Sequence, residues 1–195
     1  MATAFGAAER IEIRSSLQRA AWQHACLEGM KYTSIDRLCA EAGISKGAFY
    51  HFYESKELLF LEVLSLWHRQ IFAKVEAFMA AHRSLPPERL ARESLKTALE
   101  QLLYRPAAHF LLTERDVLLR RVPAEARDQL YRSDEEIVKK LIDICGVRLR
   151  IPVETAVGMV RVLLLSATHA DDIGPAYDDV VNALIDSACS QFIGE

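Results

Sequence analysis

The sequence predicts an all-α chain, an N-terminal three-helix unit followed by a larger helical body, and three observations lead there. Apolar residues recur at three- and four-residue spacing along most of the length. The six prolines, Pro86, Pro87, Pro106, Pro123, Pro152 and Pro175, sit where helices would start after short loops, the position that best tolerates a missing N–H. Only Val147–Ile151 alternates like a strand, and with no second segment to complete its ladder it is expected to be a loop.

The elements follow in order. Ile13, Leu17, Ala20, Ala21 and His24 line one face of a helix over about 8–28, ended by Gly29. Thr33-Ser34-Ile35-Asp36 offers side-chain oxygens to free backbone N–H groups and opens a short second helix, which Gly43 stops. Ser45 caps a third helix over about 45–51, anchored by Phe49 and Phe52. Ser55 opens a long helix over 55–82 that is apolar on more than one face and therefore largely buried. Further helices are expected at about 87–103, 107–121, 124–144, 153–169 and 176–192.

Composition narrows the function classes. The 195 residues, 51% hydrophobic and 26% charged, form a globular mix. A chain of this length hides roughly 70% of its unfolded surface, so neither a disulfide nor a structural metal is required. Cys26, Cys39, Cys145 and Cys189 form no CxxC pair and no signal peptide precedes them, which fits a reducing cytoplasm. The apolar run at Val162–Ala167, bounded by Arg161 and His169, falls short of the ~20 residues of a bilayer span, so no membrane association is expected. No Glu-x-x-His pair, phosphate-loop glycine pattern or nucleophile elbow occurs, so neither an enzyme, a cofactor nor a metal is expected.

The informative stretch is Thr33–Leu58. Two short helices joined by a tight turn at Gly43 have the spacing of a helix-turn-helix, in which the second helix enters the major groove of DNA. Small Cys39 lies four residues before Gly43, where steeply crossed helices need a small side chain, and Phe49 lies six after it, where an apolar residue locks the second helix on the first. The pattern Ala20-Ala21, Gly29, Thr33-Ser34-Ile35, Ala42-Gly43-Ile44-Ser45-Lys46-Gly47, Tyr50 and Ser55-Lys56-Glu57 resembles, without a gap from Leu17 to Leu58, the N-terminus of the TetR family of transcriptional regulators.

The resemblance implies double-stranded operator DNA as partner, a head over about 1–55 and an effector-binding and dimerisation body over about 56–195. Ser45 and the first free N–H groups behind it suit a phosphate, Gly47 permits close backbone approach, and Lys46 reaches a base edge or a phosphate. Tyr50 and Lys56 match family phosphate contacts, Thr33 and Ser34 match contacts from the start of the second helix, and His51 suits bases. Phe52-Tyr53 departs from the family's usual His-Phe, and residues 1–57 carry seven bases against seven acids, so binding should rest on a few contacts.

In the body, Val157, Val160 and Leu164 on one helix and Val181, Leu184 and Ala188 on another form stripes suited to a homodimer's four-helix bundle. A small-molecule effector of unknown identity is expected among Trp67, Ile71, Tyr104, His109, Phe110, Tyr131 and His169. The competing expectation is a helical small-molecule, metal or redox sensor whose head does not bind DNA, with Cys39 as the candidate redox group.

Overall fold

A computed structural model describes residues 5–103, 110 and 113–194. Its helices are α1 (Ala7–Leu27), α2 (Ile35–Ala42), α3 (Lys46–Phe49), α4 (Lys56–Ala81), α5 (Pro87–Leu103), α6 (Arg115–Arg121), α7 (Ala124–Cys145), α8 (Val153–Ser166), α9 (Ala170–Ile173) and α10 (Tyr177–Phe192). A 3-10 turn, Ala167–His169, joins α8 to α9. The expected 107–121 helix lies partly outside the described residues, and its described end is α6.

Local chemistry accounts for the first boundaries. Gly6 N–H donates to the Glu9 carboxylate at 3.3 Å at the start of α1. Ser34 Oγ accepts from Arg37 N–H at 3.2 Å to cap α2, and Gly43, at φ +67°, ends it in the left-handed region. Ser45 Oγ accepts from Ala48 N–H at 3.2 Å at the start of α3, which is shorter than the 45–51 expected because the chain turns at Tyr50.

The chain divides into two compact units that are not contiguous in sequence: 1–67 with 106–124, and 68–105 with 125–195. This differs from the expected division near residue 55, because the first turns of α4 belong with α1 to α3. In the first unit Arg14 reaches Glu62 at 2.8 Å, and the rings of Trp22 and Trp67 lie 6.3 Å apart. Phe110 returns to the same unit, its ring 5.8 Å from that of Phe60, and both are buried.

The second unit is built on a core of Leu99, Leu163, Ala167, Tyr177, Val181, Ile185 and Cys189, from α5, α8, the 3-10 turn and α10. The expectation of a loop at Val147–Ile151 is corrected here. Arg148–Leu149 forms β1 and pairs antiparallel with β2, Ile193–Gly194, in the register Arg148 to Gly194 and Leu149 to Ile193. Val153–Ile173 also differs from expectation: by length and composition it is apolar enough to cross a membrane, and little of it is buried.

Candidate nucleic-acid interface and ligand cavity

The helix-turn-helix is held from behind. Phe49 is fully buried and packs its ring 5.5 Å from Tyr50 and 5.9 Å from Tyr53. Ile44 N–H donates to Cys39 O at 3.0 Å and closes the turn. Cys39 is buried, and burial and Asp36 push its thiol pKa up, so it stays protonated and makes a poor redox sensor. Tyr53 is also buried, and its hydroxyl donates to Glu62, which Arg14 also binds. Burial works against the Glu62 carboxylate, but the hydrogen bonds from Tyr53 and Arg14 outweigh it and leave the pKa below the ordinary value. The phenol at the departure from the family pattern is thus satisfied by a carboxylate on the following helix.

 The partner, Glu62, stands nine residues further along, on α4.

The side chains expected to meet DNA fall into two groups. Ser34, Ser45, Lys46, Gly47, Tyr50 and His51 are exposed. A Cβ at Gly47 would meet only Ser45 Oγ, at 3.9 Å, so nothing inside the protein requires glycine there, and its bareness bears on what approaches from outside. Lys46 Nζ lies 3.0 Å from Asp36 Oδ2, and that hydrogen bond raises the lysine pKa. Thr33 and Lys56 are engaged inside the protein. Thr33 is 1% exposed and its hydroxyl donates to Gly29 O at 2.8 Å, so it locks the α1–α2 turn instead of facing outward. Lys56 is half-buried and donates to Met30 O and Thr33 O, both at 2.7 Å. Burial lowers its pKa, against the pull of Glu57 and Glu114.

Three features escaped the sequence reading. Glu114 accepts from Met30 N–H and, at 3.1 Å, from Lys31 N–H, so this carboxylate and the Lys56 ammonium hold opposite poles of the same turn. Tyr32 is 69% exposed with Lys31 Nζ 5.4 Å from its ring centre, a basic and aromatic pair next to the α2 cap that adjacency in sequence could have flagged. The third is a cavity.

That cavity, of about 120 Å³, lies in the second unit between α4, α5, α7, α8 and α10. Phe72, Met79, Leu95, Leu141, Met159 and Phe192 are among its walls, and no charged side chain among the described residues lines it. None of the described residues expected to hold an effector does so. Trp67, Ile71 and Phe110 are buried elsewhere, Tyr131 lies under the Arg161 guanidinium at 5.5 Å, and His169 is exposed beside Asp172 at 3.2 Å. Tyr104 and His109 lie outside the described residues. Among the described residues no cluster of three metal-ligating side chains occurs.

The stripes expected at a dimer interface also turn inward. Val157 and Val181 are each 4% exposed, and Val160, Leu164 and Ala188 line the cavity. Leu184 alone of the six is exposed, at 53%, together with Val162, Leu165, Ile173 and Val180. Both faces of α8 and α10 are apolar, and periodicity did not say which one the protomer covers.

Comparison with known proteins agrees with this geometry. Residues 18–63 match the profile of the bacterial regulatory proteins, tetR family. No curated protein matches the chain. Among solved structures, RolR in complex with resorcinol is 14% identical with a TM-score of 0.64, covering 97% of this chain and 99% of its own. A transcriptional regulator TetR family protein from Vibrio parahaemolyticus is 20% identical with a TM-score of 0.61, covering 93% and 99%. FadR from Bacillus subtilis in complex with stearoyl-CoA is 14% identical with a TM-score of 0.56, covering 92% and 95%. At such identities these likenesses establish the shared fold, and the family match is carried by the helix-turn-helix segment, residues 18–63, which is similar to the bacterial regulatory proteins, tetR family.

Proposed function

We propose that the chain is a transcriptional repressor that binds operator DNA as a homodimer and leaves it when a small molecule occupies the cavity of the second unit. The observation that carries the DNA reading is the exposed row Ser45, Lys46, Gly47, Tyr50 and His51 on and beside a capped α3 whose inner residue, Phe49, is fully buried. Such a row presents hydroxyls, an ammonium, an imidazole and bare backbone to a groove while the rest of the motif fixes their spacing. Lys31, Tyr32 and Ser34 extend the row toward the start of α2.

A single short reading helix contacts few base pairs, and a two-fold dimer reading two half-sites multiplies that. The uncovered apolar positions Val162, Leu165, Val180 and Leu184 on α8 and α10 supply the pairing surface, which also accounts for the apolar, little-buried stretch from Val153 to Ile173. The effector part is supported by the cavity and by two relatives of the same fold solved with small molecules, resorcinol in RolR and stearoyl-CoA in FadR. Helix α4 starts at Lys56, in the first unit, and its later residues Phe72, Val75 and Met79 line the cavity, so one helix has a part in both activities.

Selection of duplexes from a random pool, followed by fluorescence anisotropy, tests the reading. A recovered duplex should bind at least a hundredfold more tightly than its scrambled counterpart at physiological salt. Equal binding of the two would refute it.

A further inference from the structure

The cavity has one polar feature that the rest of its wall lacks. Ser94, on α5, is 4% exposed and lines the space, and its Oγ has no hydrogen-bond partner among the described residues. A buried hydroxyl without a partner is unfavourable, and a serine within a helix ordinarily points to water or to a carbonyl of the preceding turn. The other heteroatoms on side chains of the wall are sulfurs: the thioethers of Met79 and Met159 and the thiols of Cys145 and Cys189. Burial pushes the Cys145 thiol up to about 11 and raises that of Cys189, so both stay uncharged at neutral pH.

We propose that this site takes an uncharged molecule the size of one aromatic ring, carrying one hydroxyl that hydrogen-bonds Ser94 Oγ; phenol is the simplest member of the class. The inference rests on the effector reading for its biological use, but not for the binding itself. Three properties of the wall select the class. An ionised carboxylate or amine entering would lose its hydration and find no opposite charge, a penalty of several kcal/mol. The volume of about 120 Å³ is close to that of an engineered apolar cavity known to hold benzene, about 150 Å³, so one ring fits. Phe72, Phe192 and the sulfurs of Met79 and Met159 offer edge and thioether contacts that favour a ring over an alkyl chain.

The test is titration calorimetry of the full chain with phenol, toluene and benzoate at pH 7.5, on the wild type and on Ser94→Ala. The wild type should bind phenol roughly fivefold more tightly than toluene, the worth of one neutral hydrogen bond, and benzoate at least a hundredfold more weakly than phenol. Ser94→Ala should leave toluene unchanged and drop phenol below it, because the ligand hydroxyl is then buried without a partner, a result that loss of folding would not produce. Equal binding of phenol and toluene by the wild type, benzoate binding as tightly as phenol, or no binding of any of the three would overturn the proposal. Anisotropy of the selected duplex keeps the two readings apart. Ser94-dependent phenol binding without DNA release supports the site and removes its effector role. Release by a charged or much larger compound that displaces phenol keeps the effector role and overturns the proposed ligand class.

Discussion

Gly29 is required twice over. Its φ of +82° lies in the left-handed region, and a Cβ there would stand 2.7 Å from the Glu114 carboxylate that binds the N–H groups of Met30 and Lys31. Gly43 shares the first demand, at φ +67°, but a Cβ there would meet nothing within 4 Å. Gly43→Ala should therefore lose about 1–2 kcal/mol of stability to backbone strain alone. Gly29→Ala should lose about 2–4 kcal/mol, because the carboxylate must also leave its two donors. Urea unfolding of both, and of Gly29→Ala in a Glu114→Ala background, checks this: in that background the Gly29 loss should fall to that of Gly43, and an unchanged loss would show that the Glu114 clamp is not involved. The sequence showed both glycines as helix stops, but Glu114 lies so far along the chain that no local pattern could pair it with Gly29. Glu62 gives a second residue-scale prediction. Its folded pKa lies below the ordinary 4.5, so its contribution is complete above that pH and is lost as pH falls through the folded value. Glu62→Gln should destabilise the protein at pH 7, and the difference between urea midpoints of variant and wild type should shrink as pH drops from 4.5 toward 3. A gap that stays constant over that range would exclude ionised Glu62 as its source.

At the scale of elements, the helix-turn-helix separates two lysines that were both expected to meet DNA. Lys46 is exposed and bonds the exposed Asp36, while Lys56 reaches back to the turn carbonyls Met30 O and Thr33 O. Lys46→Ala should leave thermal stability unchanged and narrow the gap between a selected and a scrambled duplex, if its ammonium reaches a base edge. Lys56→Ala should lower the melting temperature by a few degrees and weaken both duplexes by the same factor, because it loosens the turn that places α2. Anisotropy on both duplexes, with a thermal melt of each variant, distinguishes them, and a stable Lys56→Ala with altered preference would reverse the assignment. The caps Ser34 and Ser45 were legible because their spacing from the first apolar residues is local. Thr33 was not, since a threonine before a cap reads the same whether it turns outward or, as here, back to Gly29 O. The pairing of β1 with β2 was hidden for a related reason: Ile193–Gly194 directly follows α10 and is two residues long, too short to show alternation.

For the whole molecule, the sequence foretold helices far better than it foretold what each helix covers. Segment 106–124 groups with 1–67, and the inward faces of α8 and α10 turned out to be the ones expected outside. Where both faces of a helix are apolar, periodicity yields a helix without an orientation. The same ambiguity makes a sharp test of assembly. In the proposed homodimer the exposed positions Val162 and Leu184 meet a second copy, whereas Val181, 4% exposed, belongs to the core of the protomer. In a two-fold interface each substitution occurs twice, so Leu184→Glu places two carboxylates in an apolar contact at once. Burying them without partners should raise the dimer Kd on the order of a hundredfold or more, and Val162→Glu should add to that. Because both sites are uncovered in the protomer, the double variant should keep its helical circular dichroism and sediment as a monomer. Val181→Glu should instead lose the cooperative melt altogether, since its carboxylate enters a closed core. The monomeric variant should also bind a selected two-half-site duplex far more weakly than the wild type while binding a single half-site equally well. If Val162→Glu/Leu184→Glu sediments as the wild type does, these faces of α8 and α10 do not form the dimer contact.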